Sequence, residues 1–144
     1  VFCIARKIYT RLIEIEPNFS TNKFILYGAA LLHDLGHGPL SHTSEAIFNH
    51  DHENWSKNLV VNYDPINSIL KNFGSNLPTQ IGELFESKNL FSNPLKTLIS
   101  SEIDCDRLDY LLRDSYNTGT KYGLVDLERI ISALTFSPDG NIAI

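Results

Sequence analysis

The sequence predicts an all-α domain, a helical bundle closed at its C-terminal end by a short β-hairpin. Three observations predict it. Apolar residues recur at helical spacing through most of the 144 residues. Proline and glycine fall between these stretches, where helices start and stop. The one extended pattern, with its own turn, comes at the very end.

Ile4, Ala5, Ile8, Leu12 and Ile13 mark a first helix, closed by Pro17. Lys23 to Leu35 is apolar on most sides and is expected to be a buried helix, with His33 and Asp34 in its last turn. Gly36, Gly38 and Pro39 stop it, and Ser41 is the expected N-cap of a helix over about 42–49. Asp64-Pro65 and Asn93-Pro94 each set a capping side chain before a proline at the first helical position, opening helices over about 65–72 and 94–100. Ser101 and Asp104 resemble a capping box and introduce a helix over about 102–115. Tyr122 to Leu134, with Leu124, Leu127, Ile130 and Ile131 as its stripe, is expected to be another. Thr135-Phe136, the turn Pro138-Asp139-Gly140 and Ile142 to Ile144 read as a hairpin. The expected division is therefore a helical domain over 1–134 and a β element over 135–144. Polar His50 to Asn58 reads as a functional loop and Asn72 to Thr79 as a turn-rich connection.

Composition narrows the function. With 42% hydrophobic and 20% charged residues the chain reads as an ordinary globular domain. A net charge of −5 provides no broad basic face for duplex nucleic acid. Two cysteines, Cys3 and Cys105, are too few for a disulfide scaffold and match no zinc spacing, so they are expected to pack as small hydrophobes in a reduced setting. No signal peptide is visible, and no apolar run reaches the roughly 18 residues of a membrane span. The chain is expected to be cytoplasmic. It has no methionine and opens within an amphipathic helix, so it reads as a fragment of a longer protein.

Chemistry concentrates in LLHDLGHGPLSH at 31–42 and IDCDRLDYLLRD at 103–114. Adjacent imidazole and carboxylate at the end of an apolar helix offer mixed nitrogen and oxygen ligands, which suit Zn, Fe, Mn or Ni better than Ca. In the second run Asp106, Tyr110 and Arg113 share one helical face, and Arg107, Tyr110 and Asp114 an overlapping one. Ile103, Leu108, Leu111 and Leu112 are the expected packing side, directed at the buried Lys23 to Leu35 helix. That packing would bring Asp106 to His33 and Asp34 across 72 positions of sequence.

The strings HDLGHGPLSH, HEN at 52–54, IDCDRLDYLLRDSYNTGT and GLVDLERII resemble the HD-domain phosphohydrolases, and most of all their deoxynucleoside triphosphate triphosphohydrolase (SAM and HD domain-like) branch. The resemblance implies a metal held by His33, Asp34 and Asp106, with a first His ligand from an Arg-x-x-His-Ser-x-Gly segment. No His precedes position 33, and the register places that segment just upstream of Val1. It implies catalytic roles for His37, Glu45 and His52, although Asp is common in the family at the position of Glu45. It makes Arg107, Tyr110, Asp114 and Tyr116 the candidates to hold the substrate, with Tyr110 stacked on a deoxyribose.

The implied cofactor is one divalent transition metal (Fe, Mn, Zn, Ni or Co), with Mg accompanying the substrate phosphates. The implied partner is a nucleotide, with no membrane, and relatives commonly form homo-oligomers. The implied reaction is cleavage of a deoxynucleoside triphosphate to deoxynucleoside and triphosphate, with His37 or His52 protonating the leaving 5′ oxygen. The alternatives are phosphohydrolysis of nucleoside monophosphates or guanosine alarmones, and a nucleotide-sensing module without turnover. His42 is assigned to the helix start with nucleotide contact as a second role, and His50 to the surface. Asp109 and Arg113 form a plain i,i+4 pair. Trp55, Phe73, Phe85 and Phe91 are expected in the core or an interface. Asp126, Glu128 and Arg129 read as a solvated face or a subunit contact.

Overall fold

The opening apolar spacing forms α1 (Phe2–Ile15) in the computed structural model, which describes residues 1–86 and 93–144. One face of α1 buries Ile4, Ala5, Ile8, Tyr9 and Leu12. A 3-10 segment (Pro17–Asn22) turns the chain into α2 (Lys23–Leu32), the helix around which the domain is arranged. Contacts to α1, α6 and α7 surround α2, and its Leu26, Ala29 and Ala30 are buried. It is not buried on all sides as its composition suggests: Phe24 and Leu31 are exposed, because no described element covers that face. After it come α3 (His42–Phe48), α4 (His52–Asn62), α5 (Asp64–Lys71), α6 (Leu77–Glu86), α7 (Pro94–Ile99), α8 (Cys105–Thr118) and α9 (Leu127–Ala133). The architecture is all-α, as the sequence predicts. Strands β1 (Thr135–Phe136) and β2 (Ile142–Ala143) pair antiparallel, Thr135 opposite Ala143, and lay Phe136 and Ile142 against the core.

Three sequence expectations are corrected. The stretch His50 to Asn58 is not a loop; most of it is α4, started by Asp51, whose Oδ1 accepts from the backbone of Glu53 at 2.8 Å and Asn54 at 3.3 Å. The buried stripe of α4 is Ser56 and Val60, so a serine stands where an apolar residue would have signalled a helix. Asn72 to Thr79 is turn-rich as expected only as far as Asn76; from Leu77 it is α6, whose Leu77, Ile81, Leu84 and Phe85 face the core, and Pro78 sits in a first turn that tolerates it. The helix expected over 122–134 is shorter: Asp126 caps it by accepting from the Arg129 backbone at 3.0 Å, and Tyr122 and Leu124 lie exposed before it.

Smaller differences follow from capping. Asp104, not Ser101, starts α8; its Oδ1 accepts from the Arg107 backbone at 2.7 Å and its Oδ2 from the Ser101 backbone at 2.9 Å. Asn93 caps α7 as expected, at 2.9 Å to the Leu95 backbone, whereas Asp64 lies inside α5 and Tyr63 occupies the cap position. Ser41 occupies the N-cap position of α3 without making a side-chain cap. The contacts of α8 are with α1 and α7 more than with α2, through the buried Leu108, while Ile103 is exposed. Of the four aromatics, Phe85 is buried, Trp55 and Phe73 are exposed, and Phe91 lies outside the described residues. No helix among the described residues is long and apolar enough to cross a membrane.

Between α8 and α9 the chain crosses back over α8, where the Gly123 backbone donates to buried Ser115 Oγ at 2.8 Å. A Cβ at Gly123 would lie 2.3 Å from the Leu111 carbonyl oxygen. Gly123→Ala is therefore expected to destabilise the domain by about 2–3 kcal/mol, the cost of overpacking against backbone, read as a lowered urea midpoint.

Candidate metal centre and active site

The site begins where α2 ends. His33 is its C-cap residue and Asp34 lies in the next turn, fixed by a hydrogen bond from the His37 backbone to the Asp34 carbonyl at 3.1 Å. Ser56 of α4 holds that turn from behind: its hydroxyl donates to the His33 carbonyl at 2.6 Å and accepts from the Gly36 backbone at 2.8 Å. Gly36 is required there, since a Cβ would lie 2.2 Å from the His52 carbonyl oxygen. Leu40 and Ser41 then adopt left-handed φ of 68° and 50°, a strained corner that turns the chain into α3 and brings Glu45 over the site.

Two clusters result. In the first, His33 Nε2 lies 3.3 Å from Asp34 Oδ2 and 3.8 Å from Asp106 Oδ1, the latter carried by the first turn of α8. In the second, Glu45 accepts from the His52 backbone at 3.3 Å and bonds His52 Nδ1 through the same Oε1, while its Oε2 meets His42 Nδ1 at 3.2 Å. His37 joins the clusters, with Nε2 3.5 Å from Asp34 Oδ1 and Nδ1 3.8 Å from Glu45 Oε1. Its ring stacks on His52 at a centroid distance of 4.0 Å and an interplanar angle of 11°.

The charges follow from these contacts. Partial burial pushes the Glu45 carboxyl up, but hydrogen bonds from His42 and His52 outweigh it and bring it down to about 2. Burial lowers His37, and neighbouring His52 lowers it further against the opposing pull of Asp34. Burial raises Asp106, His33 opposes that, and Asp34 and Asp104 add to it.

The first cluster could hold a metal ion. Both ring nitrogens of His33 are buried without a hydrogen-bond partner among the described residues, a rare and costly condition for a polar ring. The ligand atoms of His33, Asp34 and Asp106 lie within 4.8 Å of one another. One imidazole and two carboxylates are a donor set for a divalent transition metal, and such an ion would engage the orphaned His33 ring and offset the mutual repulsion of the carboxylates. His37, His42, Glu45 and His52 also come within 4.8 Å, but there Glu45 already satisfies two of the imidazoles.

Both clusters open on a cavity of about 490 Å³, lined further by Ser41, Glu53, Phe85, Lys96, Asp104 and Arg107. Of the expected substrate residues, Arg107 is at the cavity, with Nη1 on Glu102 at 3.0 Å. The others are not brought to it: Tyr110 is half-buried outside the lining, Asp114 is exposed beside Arg113 at 3.6 Å, and Tyr116 is 88% exposed. Three cavity residues went unassigned to the site or were given a lesser role. His42 contacts Glu45 and not only the helix start; Glu53 follows His52 directly; Lys96 is a buried lysine beside the apolar Leu95, Leu98 and Ile99. A lysine within so apolar a turn was the available signal. Elsewhere the expected Asp109–Arg113 pair forms at 3.0 Å, and Glu128 pairs with Lys7.

An all-helical domain with a mixed His/Asp ligand set at a helix end, faced by a hydrogen-bonded His/Glu cluster, has the form of a metal-dependent hydrolytic site. The chain belongs to the HD domain family, whose model matches residues 1–114. It is 36% identical over 135 residues to the uncharacterized protein YwfO of Bacillus subtilis, covering 93% of this chain and 31% of that one. It is 29% identical over 118 residues to the metal-dependent phosphohydrolase cns2 of Cordyceps militaris, covering 80% of this chain and 32% of that one. The crystal structure of a phosphohydrolase from Bacteroides thetaiotaomicron superposes with a TM-score of 0.75 at 30% identity, over 99% of this chain and 34% of that one. The chain thus spans about a third of the length of these relatives.

Two outcomes test the site. Asp106→Ala is expected to weaken metal affinity by more than the ~10–100-fold that loss of an outer partner costs, read by elemental analysis as metal lost on dialysis against a competing chelator; unchanged content would remove Asp106 from the centre. Glu45 stays ionised in the folded state to about 2, against an ordinary 4.5, so its contribution to stability is complete above pH 4.5 and is lost as pH falls towards 2. Urea midpoints of wild type and Glu45→Gln are therefore expected to diverge as pH rises from 2 to 4.5 and to run parallel above it.

Proposed function

We propose that the chain is the catalytic core of a metal-dependent phosphohydrolase acting on nucleotides, and that the reaction is cleavage of a deoxynucleoside triphosphate to deoxynucleoside and inorganic triphosphate. The observation that carries the reading is the junction at His37 of a metal-type His/Asp cluster and a His/Glu proton-transfer cluster on one cavity wall. The strings shared with the triphosphohydrolase branch support the choice of substrate.

His33, Asp34 and Asp106 would hold the ion. When bound, a divalent ion supplies Lewis-acid polarisation of the phosphate and lowers the pKa of water. Fe, Mn, Zn, Ni and Co all suit such ligands, with Mg on the substrate phosphates. The remaining chemistry belongs to side chains. Ionised Glu45 fixes a proton on His52 Nδ1, which leaves Nε2 to deliver a proton to the departing 5′ oxygen. His42 shares the same carboxylate and holds it in place. His37, whose pKa is lowered by burial and by its stacked neighbour His52, hydrogen-bonds the phosphate. Arg107 presents a planar fork to phosphate oxygens at the cavity.

A second reading has its own observation. Tyr110 does not line the cavity, so stacking on a deoxyribose has no support from its position, and a nucleoside monophosphate or guanosine alarmone fits the same machinery.

Product analysis on the whole protein decides: inorganic triphosphate is expected, and pyrophosphate or orthophosphate would overturn the triphosphohydrolase form. His52→Gln is expected to lower kcat by about 10²–10⁴-fold with little change in KM, the range for losing a general acid. Unchanged kcat would remove His52 from the proton transfer.

A further inference from the structure

We propose that Lys96 is a phosphate-binding residue on the cavity wall, and that Glu53 is the carboxylate a substrate phosphate displaces from it. The ligand's identity rests on the phosphohydrolase reading above, which assigns no role to either residue.

Lys96 is 3% exposed and sits on α7, yet it lines the same cavity as His33, Asp34 and Asp106. Burying an ammonium group is costly unless its charge and its donors are matched. Here they are only partly matched. Nζ donates to the Phe85 carbonyl at the end of α6 at 3.3 Å and faces Glu53 Oε1 at 3.6 Å, an ion pair too long for a hydrogen bond. An ammonium has three donors, and among the described residues this one makes a single hydrogen bond.

Glu53 is the looser partner. Its side chain is 40% exposed at the start of α4, so water can solvate it when it leaves. Its neighbour His52 belongs to the proton-transfer cluster, which puts the displaced carboxylate and the incoming phosphate in one cavity.

The charge of the cavity calls for such a cation. Asp34, Glu53, Asp104 and Asp106 line it, and a phosphate entering beside them needs positive charge on more than one side. A metal on the His/Asp cluster covers one wall. Lys96 and Arg107 are its lysine and arginine linings, and Arg107 is 41% exposed and tied to Glu102. Lys96 is thus the desolvated cation, a compact point charge of the kind that binds a single phosphate oxygen well. The competing account is structural. A lysine bonded to a terminal helix carbonyl is a C-cap, and Phe85 is in the last turn of α6. A cap needs neither the cavity nor a displaceable carboxylate.

The two accounts separate by sign. Binding of inorganic phosphate and pyrophosphate to the metal-loaded whole protein is measured by calorimetry for wild type, Lys96→Met and Glu53→Gln, with thermal midpoints alongside and KM and kcat for a phosphoester panel. Lys96→Met is expected to weaken phosphate binding about 10-fold or more and to raise KM more than it lowers kcat. Glu53→Gln is expected to tighten phosphate binding several-fold, because the competing carboxylate is gone. Unchanged binding in Lys96→Met, or weakening in both variants with lowered midpoints, overturns the proposal in favour of a cap. Should Lys96→Met not fold, Glu53→Gln decides alone: tightening supports the proposal, and no change or weakening overturns it. The opposed pattern in a protein that hydrolyses no phosphoester would support the phosphate site and overturn the preceding reading.

Discussion

Ser56 is fully buried, and its hydroxyl is used in both directions, donating to the His33 carbonyl and accepting from the Gly36 backbone. That pair of bonds satisfies a carbonyl at the end of α2, where a helix has no partner of its own, and a backbone donor of the turn beyond it. It also fastens the turn to α4 at a separation that only a glycine at position 36 allows. The site depends on this join. His33 and Asp34 belong to the α2 side, His52 and Glu53 to the α4 side, and no covalent constraint shorter than the chain from 36 to 52 sets their distance. Packing of α6 against both α2 and α4 then braces the joint.

From that fixed joint the electrostatics divide the site into two functions. The His33 cluster combines a buried imidazole without a hydrogen-bond partner among the described residues with carboxylates that repel each other, an arrangement that a cation would complete. The His52 cluster is the reverse: its carboxylate is oversupplied with donors and stays ionised to about 2. Groups whose environments drive them in opposite directions are how one cavity holds charge-binding and proton-transferring residues a few ångströms apart. The left-handed corner at Leu40 and Ser41 is the strained element that makes this juxtaposition, at a typical cost of about 1–3 kcal/mol for each such residue. It is repaid by the bonds that Glu45 makes only from that position.

How much of this was legible in the sequence depends on where the signal lay. His33 and Asp34 were legible because an apolar helix ending in two ligand-type residues is unusual, and the all-α class because the helical period is unbroken through α1, α2 and α8. Helix α4 was not, because its buried stripe contains Ser56, whose polarity belongs to the joint just described and contradicts the expected apolar pattern. The substrate residues show a different limit. Shared helical faces were read correctly in angle but not in height: at about 1.5 Å per residue, Tyr110 stands ~6 Å beyond Asp106 along α8, Asp114 ~12 Å and Tyr116 ~15 Å. Only the first turn of α8 reaches the cavity, with Asp106 and Arg107. Lys96 was missed for a third reason, since burial of a lysine is a property of packing that a single sequence carries only as an anomaly.

The stacked pair His37 and His52 shows how the two clusters are kept from sharing a charge. Parallel imidazoles with centroids 4.0 Å apart repel if both are protonated, and His52 is accordingly among the causes that lower the His37 pKa. Glu45 breaks the tie. Its Oε1 bonds to Nδ1 of His52 and lies 3.8 Å from Nδ1 of His37, so His52 is the ring it hydrogen-bonds. Desolvation of His37 acts in the same direction. The lowered pKa of His37, which lies beside Asp34, disfavours positive charge next to the His33, Asp34 and Asp106 cluster. The asymmetry of the stacked pair thus follows from one carboxylate, which hydrogen-bonds His52 and lies beyond hydrogen-bond distance of His37.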